Sequence, residues 1–318
     1  MLTGIPKISV RIITYNQEQL IKRAIDSILP QRDYVYEICV SDDCSTDHTW
    51  DVLLQYDKDY PGLFKLNRNE NNVGMFINIG RTKKLVTGDI EYVLAGDDEV
   101  GEGWFKAVAE LVMEKKLDAK NDSFCIYGDY EARYPNGDTF VFRNNLVDSD
   151  ANVLKLALRG LIGNRSCCWS VAMAKRFVNV SQGRSHIAED AQDRQLQVFS
   201  DMNFYIPKVG NIYYAYVGVS AHMDEETMKE RAKIRPYAIS IFETWGVKLD
   251  KKDLIYSLEY FPAFERMVNK PTFGRVLKVI WLWLKSRDPK IKVNWNQSRS
   301  FIFAIRRRLP HRKPLHFN

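Results

Sequence analysis

Four short β-rich runs in the first hundred residues, at 8–13, 36–41, 64–66 and 90–95, each give way to a polar or acidic loop. Between them the spacing of apolar residues is helical, at 18–29 (stopped near Pro30), 46–57 and 73–87, and again at 104–116. Strand-length runs alternating with helix-period stretches define βαβ units and so a mostly parallel α/β sheet. Runs at 124–129 and 139–142 continue the strand pattern, with Pro135-Asn136-Gly137 turning between them. Beyond about residue 150 the pattern is mostly helical, with a strand-like piece at 211–217.

The loops carry the chemistry. The first run ends in Thr14-Tyr15-Asn16 and the second in Asp42-Asp43-Cys44-Ser45-Thr46-Asp47. The third is followed by Arg68-Asn69 and the fourth by Gly96-Asp97-Asp98-Glu99. In an open parallel sheet all four loops lie on the carboxyl edge, where ligands bind at the reversal of strand order. An isolated Ser45-Thr46-Asp47 reads most simply as a helix cap, but four polar loops on one rim point to a site.

The ligand is narrowed by what is missing. Neither G-x-G-x-x-G nor G-x-x-x-x-G-K-[ST] follows the first strand, which excludes the dinucleotide fingerprint and the P-loop. Nucleotidyl transfer on a related sheet would want a basic, glycine-rich loop where Thr14-Tyr15-Asn16-Gln17 stands. Adjacent carboxylates Asp97 and Asp98 suit Mg²⁺ or Mn²⁺, hard cations that bridge to diphosphates. The plainer alternative is that the pair caps the turn before the helix at Trp104.

The ordered set Thr14-Tyr15-Asn16, the stretch 40–47, the stretch 72–78 and the stretch 88–98 resembles a family 2 glycosyltransferase of the GT-A fold. The likeness runs from about residue 8 to 220. It implies a Rossmann-like, mostly parallel sheet flanked by helices and an inverting transfer from a nucleotide-diphosphate sugar. It also implies a donor pocket formed by Thr14, Tyr15, Asn16, Asp42, Asp43, Asn78 and Asp97, with the metal on Asp98 and Asp97. One departure is visible: many members place a further Asp two residues before the acidic pair, where this chain has Ala95-Gly96.

Inverting transfer needs a carboxylate to take the acceptor proton and needs no covalent nucleophile. The resemblance implies Asp190 as that base, 92 positions beyond Asp98, with Glu189 orienting the acceptor or its loop. The plainer reading of 189–194 is an acidic first helical turn with Asp193 and Arg194 facing solvent. His222 and Arg165 are weaker candidates for the diphosphate. Cys167-Cys168-Trp169 reads as core. Lys22 and Arg23 read as an exposed helix face with no role.

Charge divides the chain. Residues 270–318 hold 13 Lys or Arg and one acid, Asp288, leaving 33 basic against 39 acidic residues in 1–269. The basic end also carries Trp281, Trp283 and Trp295. Its stretches 274–285 and 301–308 combine apolar and basic residues as interfacial helices do, too short to span a bilayer; the alternative is a helical subdomain packed on the body. No recognisable RNA- or DNA-binding motif occurs there, so membrane contact is preferred over nucleic acid. The expected organisation is therefore a GT-A domain at 1–225 and a helical, basic C-terminal region at 226–318. The five Cys are expected as free thiols. The N-terminal residues show no signal-peptide pattern, so the expected location is cytoplasmic, at the inner membrane face. The acceptor is expected to be a glycan or lipid-linked precursor. A competing expectation is a non-catalytic nucleotide-sugar-binding or scaffolding protein on a degenerate transferase fold.

Overall fold

The computed structural model describes residues 5–148, 153, 156, 165–175, 200–214, 239, 249–269, 272–287 and 316–317. Its centre is a parallel sheet in the order β3-β2-β1-β4, formed by β1 (Ile8–Thr14), β2 (Glu37–Asp42), β3 (Phe64–Arg68) and β4 (Ile90–Ala95). The chain steps from β1 to β2 and β3 on one side, then crosses to β4 on the other. That reversal puts the crevice of an open α/β sheet at the carboxyl ends of β1 and β4.

β1, β2 and β4 are buried on both faces, and polar residues they carry, among them Ser9, Arg11, Glu37, Ser41 and Glu91, are buried with them. Ile8, Val10 and Ile12, with Ile38, Val40, Ile90, Tyr92 and Leu94, are buried in one core. Helix α1 (Glu18–Ile28) adds Ile21, Ala24, Ile25 and Ile28, an i, i+3, i+4, i+7 stripe. Helices α2 (Thr49–Asp59), α3 (Met75–Lys83) and α4 (Trp104–Glu114) follow their strands as the sequence predicts. Arg11, buried in β1, pairs with Glu91 of β4 at 2.8 Å and donates to Thr82 and to the Ile79 carbonyl, tying α3 to the sheet.

The strands expected at 124–129 and 139–142 are present. Beyond residue 150, where the sequence predicts a mostly helical pattern with one strand-like piece at 211–217, the described residues add strands as well as helices. The two-residue β5 (Glu99–Val100), β6 (Phe124–Arg133), β7 (Thr139–Phe142), β8 (Cys167–Ser170) and β9 (Met202–Tyr214) extend the sheet, and β10 (His316–Phe317) pairs with β7. β8 runs antiparallel between β4 and β6, so Cys167, Cys168 and Trp169 are core residues, as expected, but within a strand. β9 lies parallel to β6 with register shifts around Asp129 and also pairs with β5. Gly128 and Gly210 make this layer possible, because a Cβ at either would fall within 3 Å of the buried Trp104 ring.

Toward the C-terminus an α turn (Lys251–Leu254) and a π-helical segment (Ile255–Tyr260) lead into α5 (Phe261–Asn269) and α6 (Phe273–Ser286). These helices share a small core of Ala263, Met267, Val279 and Leu282. All five cysteines are free thiols. Among the described residues no helix is long and apolar enough to cross a membrane.

Candidate active site

The carboxyl edge is stitched from three loops. Asp43 N–H donates to the Thr14 carbonyl at 3.0 Å and Asn69 N–H to the Asp42 carbonyl at 2.9 Å, holding the ends of β1, β2 and β3 in line. Asn16 takes a left-handed conformation (φ 51°), with its N–H on Ser45 Oγ and its Oδ1 accepting from Thr46 N–H at 2.8 Å. Asn can adopt this geometry because its short side chain bonds locally. Thr14 Oγ1 donates to Gln17 Oε1 at 2.9 Å. Tyr15, next to the end of β1, is 44% exposed.

Several of the residues expected around a nucleotide are spent on the loops themselves. Asp42 is fully buried and accepts from Ser45 N–H and Oγ, with the Arg68 guanidinium 3.4 Å away; burial pushes its pKa up. Asp43 accepts from Asn69 Nδ2 at 2.7 Å, Val73 N–H at 2.9 Å and Gly74 N–H at 2.8 Å, so its carboxylate shapes the turn that opens α3. Asn78 is buried too, with Oδ1 accepting from Ser41 Oγ and Asn69 Nδ2 and its Nδ2 donating to the Ser41 carbonyl.

The end of β4 is where charge concentrates. Gly96 lies so close to β1 that a Cβ there would stand 2.4 Å from Gln17 Oε1 and 3.0 Å from the Ile13 carbonyl. A side chain at position 96 would therefore meet the β1 backbone.

Asp98 is 3% exposed. Its Oδ2 accepts from Asn211 Nδ2 at 3.4 Å and lies 3.7 Å from Arg165 Nη1; its Oδ1 accepts from Tyr214 N–H at 3.3 Å. Burial pushes its pKa up to about 6, with Arg165 opposing and Asp97 adding to the rise. Asp97 is shifted upward by burial as well, against the pull of Arg165 and Arg23.

A buried carboxylate that is costly to ionise alone is one that a cation stabilises. Beside it, Asn211 Oδ1 is buried with no hydrogen-bond partner among the described residues. Asp97, Asp98 and that amide oxygen are hard donors of the kind Mg²⁺ and Mn²⁺ take, so the residues present fit such an ion. Among the described residues no group of three or more His, Cys, Asp or Glu converges, which leaves an amide and the substrate's own oxygens to complete any shell.

Sequence reasoning missed the contribution of β9 and of α1. Tyr214 donates its hydroxyl to Glu99, accepts from Arg133 Nη1 at 2.9 Å, and carries Arg23 over its ring at 3.6 Å. Arg23 is not the idle surface residue expected: it donates to the Asp97 carbonyl at 2.6 Å and pairs with Glu99 at 3.1 Å. Only its partners, remote in sequence, reveal this. Lys22 is exposed and pairs with Asp26, as a solvated face should. Arg165, a weak candidate from the sequence, reaches Asp98 while its guanidinium stacks 3.8 Å from the Tyr213 ring centre. Glu189, Asp190, Asp193 and His222 lie outside the described residues.

A crevice of this kind on a curled, mostly parallel sheet, with paired acids closing β4, is that of a GT-A nucleotide-sugar fold. The model of Glycosyl transferase family 2 matches residues 9–178, more than half of the chain, and the chain belongs to that family.

The chain is 35% identical over 99 residues to a poly(ribitol-phosphate) beta-glucosyltransferase of Bacillus spizizenii, covering 30% of this chain and 15% of that one. The chain spans about a quarter of the length of the mycobacterial relatives it matches, 26% of each. Among solved structures, S. aureus TarS 1–349 in complex with UDP-GlcNAc shares the fold at TM-score 0.61 and 16% identity, over 94% of this chain and 81% of that one. The Pyrobaculum calidifontis mannosyltransferase PcManGT, in complex with GDP-Man and Mn²⁺, does so at TM-score 0.53 and 15% identity, over 96% and 87%.

Proposed function

We propose that the chain is an inverting glycosyltransferase that moves a sugar from a nucleoside-diphosphate donor to a hydroxyl of a glycan or lipid-linked acceptor. The observation that carries this is the pair Asp97 and Asp98 closing β4 at the strand reversal, beside the loop 14–16 of β1. The UDP-GlcNAc and GDP-Man complexes of structural relatives support a nucleotide-sugar donor, and the Bacillus relative's name supports a polymer acceptor. The setting that follows is the cytoplasmic face of a membrane, where such precursors are built.

In this reading Tyr15 packs against the donor base, and Asn16 with its loop lines the nucleoside. Asp42, Asp43 and Asn78 serve by holding the loops in shape. Asp97 and Asp98, with Asn211 Oδ1, would hold Mg²⁺ or Mn²⁺. Such an ion, when bound, supplies Lewis-acid stabilisation of the departing diphosphate. Arg165 offers a second positive charge on the same side. Asp190 takes the proton from the acceptor hydroxyl as that oxygen attacks the anomeric carbon, and Glu189 orients the acceptor.

The test is a panel of nucleotide sugars screened for thermal stabilisation with and without Mn²⁺, since a bound donor raises apparent stability by mass action. Asp98→Ala abolishes the Mn²⁺-dependent shift and transfer. Asp190→Asn keeps donor binding and cuts turnover by about two orders of magnitude or more. Full transfer in EDTA overturns the metal role, and full turnover in Asp190→Asn overturns the base.

A second reading, a non-catalytic nucleotide-sugar-binding protein, draws on the Gly96 contact and on Arg165 pairing with Asp98. Donor hydrolysis in Mn²⁺ separates the two, because a live site leaks sugar to water.

A further inference from the structure

Helix α6 has two apolar faces, of which the fold uses one. Val279 and Leu282 are buried against α5, and Val276 packs with them. On the opposite side Phe273, Leu277, Ile280, Trp281 and Leu284 stand at i, i+4, i+7, i+8 and i+11, an arc of about 100° at 3.6 residues per turn. Phe273 is 81% exposed and the other four about half exposed. Half of the ten large apolar side chains exposed among the described residues therefore lie on this one stripe. An exposed apolar strip of that kind marks an interaction surface.

Charge chooses the occupant. Lys278 and Lys285 border one edge of the stripe, both exposed, and Lys285 Nζ sits 3.9 Å from the centre of the Trp281 ring. Residues 270–287 contain five Lys or Arg and no acid. A nucleic acid would be met by cations without a stripe of five large apolar side chains. An acidic protein partner would offer the charge but not the continuous apolar medium into which Phe273, Leu277 and Leu284 all project. The headgroup layer of an anionic bilayer offers both, with Trp at headgroup depth and Lys reaching outward to phosphate. At about 21 Å for its 14 residues α6 is too short to cross a bilayer of about 30 Å, so it lies flat.

We propose that the exposed stripe of α6, centred on Leu277, Trp281 and Leu284, docks the protein in the interface of an anionic lipid membrane. This deepens the membrane-side setting of the proposed function, while donor binding in solution does not depend on it.

The test is flotation of the full chain with vesicles of phosphatidylglycerol and phosphatidylethanolamine, against phosphatidylcholine alone. The protein is expected to float with the anionic vesicles, to stay behind with the neutral ones, and to lose most binding in 0.5 M NaCl. The double variant Leu277→Glu, Leu284→Glu is expected to lower partitioning at least tenfold, with the donor-induced thermal shift unchanged. Lys278→Glu with Lys285→Glu, which leaves the stripe intact, is expected to remove the preference for anionic lipid. Wild-type protein that stays behind with anionic vesicles overturns the proposal, and so does undiminished flotation of both variants. A dimer in solution that Leu277→Glu, Leu284→Glu dissociates assigns the stripe to a second copy and overturns it too. Loss of donor binding in wild type, with flotation retained, counts against the transferase reading alone.

Discussion

Arg165 Nη1 stands 3.7 Å from Asp98 Oδ2 although 67 residues separate them, and the same guanidinium stacks on Tyr213. The pair sets an opposite charge beside a buried carboxylate that also accepts from Asn211 and the Tyr214 N–H, and it places a positive charge where a diphosphate is expected. Its strength is modest because the Arg165 side chain is 41% exposed.

From this pairing a competition follows. Arg165→Ala removes a cation that shares Asp98 with any bound ion. Mn²⁺ is expected to bind the nucleotide-free protein several-fold more tightly in calorimetric titration, while stability falls by about 1 kcal/mol or less. Weaker Mn²⁺ binding in the variant would show instead that Arg165 holds Asp98 in its binding posture.

Gly96 makes an independent prediction. Placing an acid there, Gly96→Asp, puts a Cβ against the Ile13 carbonyl and Gln17. Overpacking of this kind costs about 1–3 kcal/mol, so a clear loss in urea denaturation is expected and no gain in metal affinity. A variant as stable as wild type would mean that the β1 and β4 ends separate more easily than their contact implies.

Tyr214 links Glu99 and Arg133, and its ring carries Arg23. Tyr214→Phe keeps the ring and the backbone N–H to Asp98 but leaves Glu99 and Arg133 each short of a partner. A destabilisation of about 1–2 kcal/mol is expected, with donor affinity reduced less than by any change at Asp98. Chemical denaturation and donor titration on the same protein check both parts.

The pH dependence of stability has a defined contributor at the other end of the strands. Burial alone would raise the Glu37 pKa. The Lys65 ammonium, the Thr87 N–H and hydroxyl, and the Ser9 hydroxyl together hold it down to about 2, from 4.5. A depressed carboxylate pKa stabilises the fold above the unfolded value and loses that contribution as pH falls through the folded one. Glu37→Gln is therefore expected to cost about 2–3 kcal/mol at pH 7, the gap narrowing between pH 4.5 and 2. Urea titrations at pH 7, 5 and 3 read this directly, and a gap that widens toward pH 3 would reverse the sign.

Much of the architecture is legible residue by residue. The strands at Ile8–Thr14, Glu37–Asp42 and Ile90–Ala95 announce themselves because β-branched and other apolar residues dominate short runs bounded by polar loops. The stripe of α1 is as plain. β3 and β6 run longer than expected because their last residues, such as Arg68 and Arg133, are polar and exposed enough to look like loop. β8 escaped notice because four residues carry no period.

Local pattern and loop chemistry, then, determined the parallel core, its polar rim and the acids that end β4, since each depends on neighbours within a few positions. Only the tertiary structure decided which partners those acids have. Asn211 and Tyr214 reach Asp98 from more than a hundred residues away, Arg23 turns inward, and Asp43 and Asn78 spend themselves on the loops. The physical reason is that such contacts are set by sheet register and by shifts such as those around Asp129. Those are properties of strands packed together, and no single stretch of chain encodes them.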